Sequence, residues 1–245
     1  MNQVLLTVAS NRALTKDVYE MTLTGDISEI TRPGQFVNIK LDGTYLRRPI
    51  SVCDWDEAEG KLTIIYKVVG HGTEYMAKLG AGAVLDVLTG LGNGFDTAKS
   101  GNAPVVIGGG VGVPPMYGLA KRLIAEGKKV TAILGFNTAS EIFYEEEFKA
   151  LGCETIVTTV DGSHGIKGFV TAALAECDSS FFYTCGPAPM LKAVYNESRT
   201  DGQLSFEERM GCGFGACMGC SCKVKYGSLR ICKDGPVLDK EIVIW

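Results

Sequence analysis

Histidine is almost absent from this sequence: two occur in 245 residues, His71 and His164. Neither has a partner at catalytic spacing. No H-E-x-x-H, G-x-S-x-G or P-loop occurs, so zinc-hydrolase, serine-hydrolase and P-loop chemistry have no foothold. There is no basic run, and the net charge is −4, which excludes an electrostatic nucleic-acid surface. The most apolar stretch, PVVIGGGVGVPPM, is short and contains Pro114 and Pro115, so no membrane span is expected. MNQVLLTVASNRAL lacks the basic start and long apolar core of a signal peptide, and a cytoplasmic protein is expected. Eight prolines and no low-complexity tract argue against disorder. With the side-chain chemistries removed, hydride or electron transfer carried by bound cofactors remains, and no catalytic side chain is expected.

Cysteine is plentiful instead. Nine occur, an odd number, which in a reducing compartment argues against a disulfide framework and for metal or redox roles. At 46% apolar and 21% charged the chain can bury a real core, and its length suggests one to three compact units.

The pattern divides in three. Residues 1–98 are β-rich: Val4–Val8, Val18–Thr24, Gln35–Lys40, Leu62–Val69 and Ala83–Leu88 are short apolar or alternating runs bounded by turn residues, as in an antiparallel barrel. A short helix is predicted over Thr73–Lys78. After the polar linker Lys99–Asn102, residues 99–202 alternate strand and helix, which predicts a parallel-sheet α/β nucleotide-binding domain. Its strands are Ala103–Ile107, Lys129–Phe136, Glu154–Thr159 and Phe181–Cys185. Its helices are Pro115–Glu126, Ser140–Ala150, Phe169–Ala175 and Ala188–Arg199. Residues 203–245 form a small unit rich in cysteine and glycine.

In that last unit Cys212, Cys217 and Cys220 follow C-x4-C-x2-C, the opening of a plant-type [2Fe-2S] site, and Cys232 would be the fourth ligand. A hairpin turning at Gly227-Ser228 would bring Cys232 back to the cluster. Cys222 competes with Cys220, because two residues along a strand it faces the same side, and such a hairpin would set it opposite Cys232. Cys220 is preferred, since C-x2-C is the recurrent ligand pair. Structural zinc favours paired C-x2-C knuckles, which this spacing fits poorly.

Two further stretches carry anion-binding chemistry. In TYLRRPISV, Arg48 offers a planar fork to a phosphate and Ser51 a hydroxyl. In IIYKVVGHGT, Tyr66 offers an aromatic face and Lys67 a cation, while Gly72 and Thr73 open the short helix, whose free N–H groups suit a pyrophosphate. The plainer reading makes Arg48 a solvated charge and Tyr66 a core aromatic. LTGLGNGF, residues 88–95, is by itself only a turn. In VVIGGGVGVPP, Gly108, Gly110 and Gly112 do not complete G-x-G-x-x-G, but the turn lies between a strand and a helix and suits an anion. TCGPAPM places Cys185, Gly186 and Pro187 at a strand's carboxyl end, where open sheets bind ligands; Cys185 could equally be an inert core thiol. GFNTASEIFYEEEF, after the second strand, has no Arg or Lys to meet a 2′-phosphate, which favours NAD over NADP.

The R-x-Y-S/R-P-x-S-like segment, the G-G-x-G-x-x-P-like turn and C-G-P-x-x-M resemble the ferredoxin–NADP reductase superfamily. Nearly the whole chain closely resembles the electron-transfer subunits of type B, NAD-dependent dihydroorotate dehydrogenase, most specifically in the C-G-x-G-A-C-x-x-C ending followed by C-x-D-G-P at 232–236. The resemblance implies FAD contacted by Arg48, Pro49, Ile50 and Ser51. Ile65, Tyr66 and Lys67 would border its ring and ribityl chain, and Gly72 and Thr73 would take its diphosphate. It implies NAD(H) at the Gly108–Gly112 turn and at Cys185, Gly186 and Pro187, and a [2Fe-2S] cluster on Cys212, Cys217, Cys220 and Cys232. It further implies a catalytic partner with FMN that oxidises dihydroorotate to orotate in pyrimidine biosynthesis, two copies of each subunit assembling. Phe214 and Met218 would either dock that partner or shield the cluster. The small subunit of NADH-dependent ferredoxin–NADP oxidoreductase shares the three-unit order, but its members usually carry aspartate where this chain has Cys212. A zinc-binding interaction module is the remaining alternative, of another class.

Overall fold

The alternation in the first ninety-odd residues closes on itself. In the computed structural model, which describes residues 1–245, six strands form an antiparallel barrel. They are β1 (Asn2–Ala13), β2 (Val18–Thr24), β3 (Phe36–Ile39), β4 (Arg48–Asp56), β5 (Lys61–Lys67) and β6 (Val84–Leu91), with helix α1 (His71–Ala77) between the last two. The barrel order is β1-β2-β5-β4-β3-β6. Inward positions of a strand recur every second residue, and Leu6 and Val8, Met21 and Leu23, and Leu62, Ile64 and Tyr66 fill the interior in that rhythm. Strand β4 is absent from the sequence-based expectation. Arg48, Pro49, Asp54 and Asp56 break its apolar pattern, and it is held by register to β3 and β5.

The second layer is a seven-stranded sheet. Its elements are β7 (Val105–Gly109), α2 (Val113–Ala125), β8 (Thr131–Phe136), α3 (Glu145–Leu151), β9 (Glu154–Thr159), β10 (Ile166–Lys167), α4 (Val170–Ala175), β11 (Phe182–Cys185), α5 (Ala188–Glu197) and β12 (Gly202–Ser205). The hairpin β13 (Ser221–Val224) and β14 (Gly227–Arg230), helix α6 (Ile231–Asp234) and β15 (Val237–Asp239) complete the chain. The sheet order is β10-β9-β8-β7-β11-β12-β15. Every pair is parallel except β12–β15. The sheet thus reaches past residue 202 and takes a strand from the tail on its edge. The acidic helix expected over Ser140–Ala150 is divided: a 3-10 turn at Ala139–Glu141 precedes α3, and Tyr144 between them is left-handed at φ 67°.

Helix α2 starts on Val113-Pro114-Pro115, where a missing N–H costs nothing. It lies on β4 because Gly118 has no side chain: a Cβ there would come 2.5 Å from the Cys53 carbonyl oxygen. The three units do not have separate cores. One cluster joins Phe36, Leu88 and Leu91 of the barrel to Ile107 and Leu204 of the sheet and to Cys220, Ile231 and Cys232 of the tail.

Candidate cofactor and cluster site

Arg47, just before β4, and Arg48, its first residue, are used differently. Arg47 is consumed by the barrel: it pairs with Asp86 at 2.9 Å and donates to the Asn38 and Asp86 carbonyls. Arg48 turns the other way, donating to the Leu46 carbonyl and lying over the first turn of α1. The contact is so close that a Cβ on Gly72 would sit 2.3 Å from Arg48 Nε. A guanidinium thus meets the unpaired N–H groups of a helix start, a positive cradle suited to a diphosphate. Next to it Arg48, Pro49, Ile50 and Ser51 are all half-buried, leaving a strip of β4 open to a ligand.

Other expected flavin contacts are placed differently. The aromatic face of Tyr66 is not open. Its ring is 2% exposed inside the barrel, stacked on Tyr19, with its hydroxyl donating to Asn11 Oδ1 at 3.0 Å. Burial pushes the phenol up to about 12. The alternation that fills the barrel with Leu62 and Ile64 leaves the Tyr66 ring no other side. Ile65 is buried in the core shared with α2, and Lys67 pairs with Asp17 at 3.1 Å. The Thr73 hydroxyl is occupied too: it accepts from Val69 N at 2.9 Å and Gly70 N at 3.3 Å and donates to the Gly70 carbonyl. What Thr73 offers a ligand is its backbone N–H.

In the nucleotide layer the two glycine motifs interlock. β7 and β11 are neighbours with Gly108 opposite Cys185. A Cβ on Gly112 would come 2.1 Å from the Cys185 carbonyl, and one on Gly109 2.4 Å from Met190 Sδ. The glycines therefore permit close approach between turn and strand end, and Gly110 supplies the left-handed residue, φ 52°. Gly186 and exposed Pro187 stand at the same sheet edge. Burial pushes the Cys185 thiol up to about 12, which keeps it neutral. A small pocket opens between the layers, with Asp17, Val18 and Lys67 on the barrel side and Gly110, Val111, Phe136, Glu141 and Phe143 opposite. Glu141 is held there by Asn137, whose N and Nδ2 both donate to its Oε2. At the end of the second strand a carboxylate in this position suits a free ribose 2′-hydroxyl and repels a 2′-phosphate.

The tail brings the four expected thiols into two pairs. Ala216 N and Cys217 N donate to Cys212 Sγ at 3.2 and 3.4 Å, and Cys212 N donates to Cys217 Sγ at 3.4 Å. Cys232 N donates to Cys220 Sγ at 3.4 Å. Burial works against ionisation of Cys212, but hydrogen bonds from the Phe214, Cys217 and Ala216 backbone and from the Cys217 thiol outweigh it and bring it down to about 6. Burial, then the hydrogen bond and charge of Cys220, push Cys232 up to about 12. No three ligating side chains converge on a single-ion position; two thiol pairs are the donor set of a two-iron cluster, each iron taking two cysteines. The expected hairpin needs correction. It turns at Lys225-Tyr226, so Cys222 faces Leu229, and Cys232 lies beyond β14 on α6. The two-residue loop shifts the register and removes Cys222 from Cys232, while Ile231 N donates to the Cys220 carbonyl at 3.1 Å.

Three residues that sequence reasoning missed tie these parts together. Asn38, 1% exposed on β3, donates from Nδ2 to the Cys212 carbonyl at 3.4 Å and leaves its Oδ1 without a partner. Asn93, in the 88–95 turn, accepts from Val237 N and donates to its carbonyl, pinning the tail to the barrel. Arg230 pairs with Asp234 and donates to the Gly215 carbonyl at 3.0 Å, bracing the cysteine loop. Only Asn38 carried a signal, a polar residue inside the apolar run FVNI.

Barrel, parallel sheet and four-thiol tail define a class: a flavin- and nicotinamide-dependent reductase that carries its own iron–sulfur domain. Residues 207–244 match the family model of the iron-sulfur cluster binding domain of dihydroorotate dehydrogenase B, and residues 106–196 match the oxidoreductase NAD-binding domain. A protein of Fusobacterium nucleatum named dihydroorotate dehydrogenase B (NAD(+)), electron transfer subunit, is 47% identical over 245 residues, covering 94% of each chain. One of the same name from Lysinibacillus sphaericus is 44% identical and covers 99% of each. The solved structure of an NADH-dependent reduced ferredoxin-NADP oxidoreductase superposes with a TM-score of 0.90 at 30% identity, covering 100% of this chain and 91% of that one. The chain belongs to the family of dihydroorotate dehydrogenase B electron transfer subunits. It is an oxidoreductase component built for FAD, NAD(H) and a [2Fe-2S] cluster. None of its helices is long and apolar enough to cross a membrane.

Proposed function

We propose that this chain carries electrons between NAD(H) and a separate FMN-containing subunit that oxidises dihydroorotate to orotate, two of each assembling in the cytoplasm. When bound, FAD exchanges hydride with NAD(H), and the [2Fe-2S] cluster accepts and passes single electrons. The chain's own residues hold and orient these groups. Arg48 and the start of α1 take the FAD diphosphate, and residues 48–51 of β4 take its ring. The Gly108–Gly112 turn and Cys185–Pro187 take the dinucleotide. Cys212 and Cys217 hold one iron and Cys220 and Cys232 the other.

The single observation that carries this reading is a register. Pro49, in the flavin-binding segment, pairs with Asn38, and Asn38 donates to Cys212 of the cluster loop. One strand therefore separates the two redox sites, so an electron has a short protein path. Phe214, Met218 and Tyr226 are exposed on the cysteine unit, at 44%, 56% and 87%. Apolar side chains open beside a cluster suit a docked partner that brings its own flavin near.

The test is reconstitution. The chain co-expressed with a separate FMN-binding, dihydroorotate-oxidising subunit should reduce NAD+ with dihydroorotate, and either subunit alone should not. Fully loaded pairs that turn over no dihydroorotate would refute the substrate while leaving the cofactor chain standing.

A further inference from the structure

Tyr144 combines several costly features. It is an aromatic residue with a left-handed backbone, φ 67°, where non-glycine residues rarely sit. It is 8% exposed, and its hydroxyl donates at 2.8 Å to Oε2 of Glu20, a carboxylate itself only 9% exposed. Glu20 belongs to barrel strand β2, and its other oxygen accepts from Arg12 Nε at 2.7 Å. Tyr144 belongs to the opposite layer. Its ring packs edge-on against Tyr117 of α2 at 5.0 Å and Phe143 at 6.2 Å. The bond thus joins two layers across 124 residues of sequence. It does so from the end of the loop 137–144 that carries Glu141 and Phe143 into the pocket facing the Gly110-Val111 turn.

We infer that Tyr144, anchored by Glu20, is a positioning residue for the nicotinamide dinucleotide, fixing the 137–144 loop against the flavin-bearing barrel. This rests on the NAD(H) site described above. The left-handed turn at Tyr144 aims the phenol at Glu20, and the strain is held by a buried, charge-assisted bond. Other contacts dock the layers independently: Gly118 on the Cys53 carbonyl, and Lys121 with Asp54 at 2.8 Å. Loss of the phenol–carboxylate bond therefore loosens the loop without separating the layers. A loosened loop must be ordered on binding, so affinity for the dinucleotide falls while the rate at saturation is kept.

The experiment uses the FAD- and cluster-loaded chain. NAD+ binding is titrated calorimetrically, and flavin reduction by NADH is followed by stopped flow. Tyr144→Phe removes one oxygen and keeps the ring packing, and should weaken NAD+ binding about fivefold, with the limiting rate of flavin reduction within about twofold of wild type. Glu20→Gln retains an acceptor for the phenol and should bind NAD+ within about twofold of wild type, whereas Glu20→Leu should match Tyr144→Phe. Iron content of Tyr144→Phe should stay at the wild-type value, and its melting temperature should fall by only a few degrees, as for the loss of one buried hydrogen bond. The inference is overturned if Tyr144→Phe binds NAD+ like wild type. It is also overturned if its limiting rate and iron content fall together with affinity, or if Glu20→Gln is as weak as Tyr144→Phe. None of these readouts involves dihydroorotate, so a wrong substrate assignment would leave them unchanged.

Discussion

Replacing Gly72 by alanine should separate FAD binding from folding, with opposite signs for the two. A methyl group there would lie 2.3 Å from Arg48 Nε and 2.8 Å from its Cζ. Both atoms are at the mobile end of a long side chain, so the guanidinium can swing away and the fold need not yield. Alanine is preferred to glycine in a helix by up to about 1 kcal/mol, so the cofactor-free chain should melt no lower than wild type. What is lost is the cation over the helix start. A hydrogen bond to a charged group contributes roughly 1.5–3 kcal/mol, and each ~1.4 kcal/mol is tenfold in affinity, so FAD should bind about 10- to 150-fold more weakly. The control is two residues away. A Cβ on Gly70 meets nothing within 4 Å, and Gly70 is in extended backbone at φ 169°. Gly70→Ala should therefore bind FAD like wild type. Titration of FAD fluorescence into deflavinated protein, with thermal unfolding of the same samples, reads both quantities. The reasoning fails if Gly72→Ala binds FAD within about twofold of wild type, or if Gly70→Ala loses as much.

Two other changes test the remaining sites. Cys222→Ser should keep full iron and sulfide content, while Cys220→Ser should lose the cluster and its visible absorption; metal analysis and absorption spectra decide, and the reverse result would exchange the ligands. Glu141→Arg replaces a carboxylate by a planar cation in the pocket beside Gly110 and Val111, and should lower the NADH-to-NADPH ratio of kcat/KM by at least about tenfold, measured by flavin reduction with each dinucleotide.

Much of this was legible in the residues, for local reasons. Period-two burial gave β1, β2, β5 and β6, and the C-x4-C-x2-C spacing singled out thiols that the fold brings together. Strand β4 was hidden because Arg48, Pro49, Asp54 and Asp56 interrupt its apolar rhythm, and pairing with β3 and β5 holds it in place. Tyr66 left two readings open, an aromatic face for a flavin or a core residue, and its parity on β5 sends the ring into the barrel. The hairpin register depended on a two-residue loop, and one position of slip changes which cysteine faces which. The contacts of Asn38 with Cys212 and of Glu20 with Tyr144 span 174 and 124 residues and leave no local trace.

The claim on which the rest stands is that the barrel and the cysteine tail form one electron path. It is tested most directly by adding NADH in steps to the anaerobic, fully loaded chain without its partner, recording flavin absorbance and low-temperature electron paramagnetic resonance on the same samples. The path predicts that flavin bleaching is accompanied by the spin signal of a reduced two-iron cluster, growing with each addition. Complete flavin bleaching with no cluster spin, in protein whose iron and sulfide are intact, would contradict it.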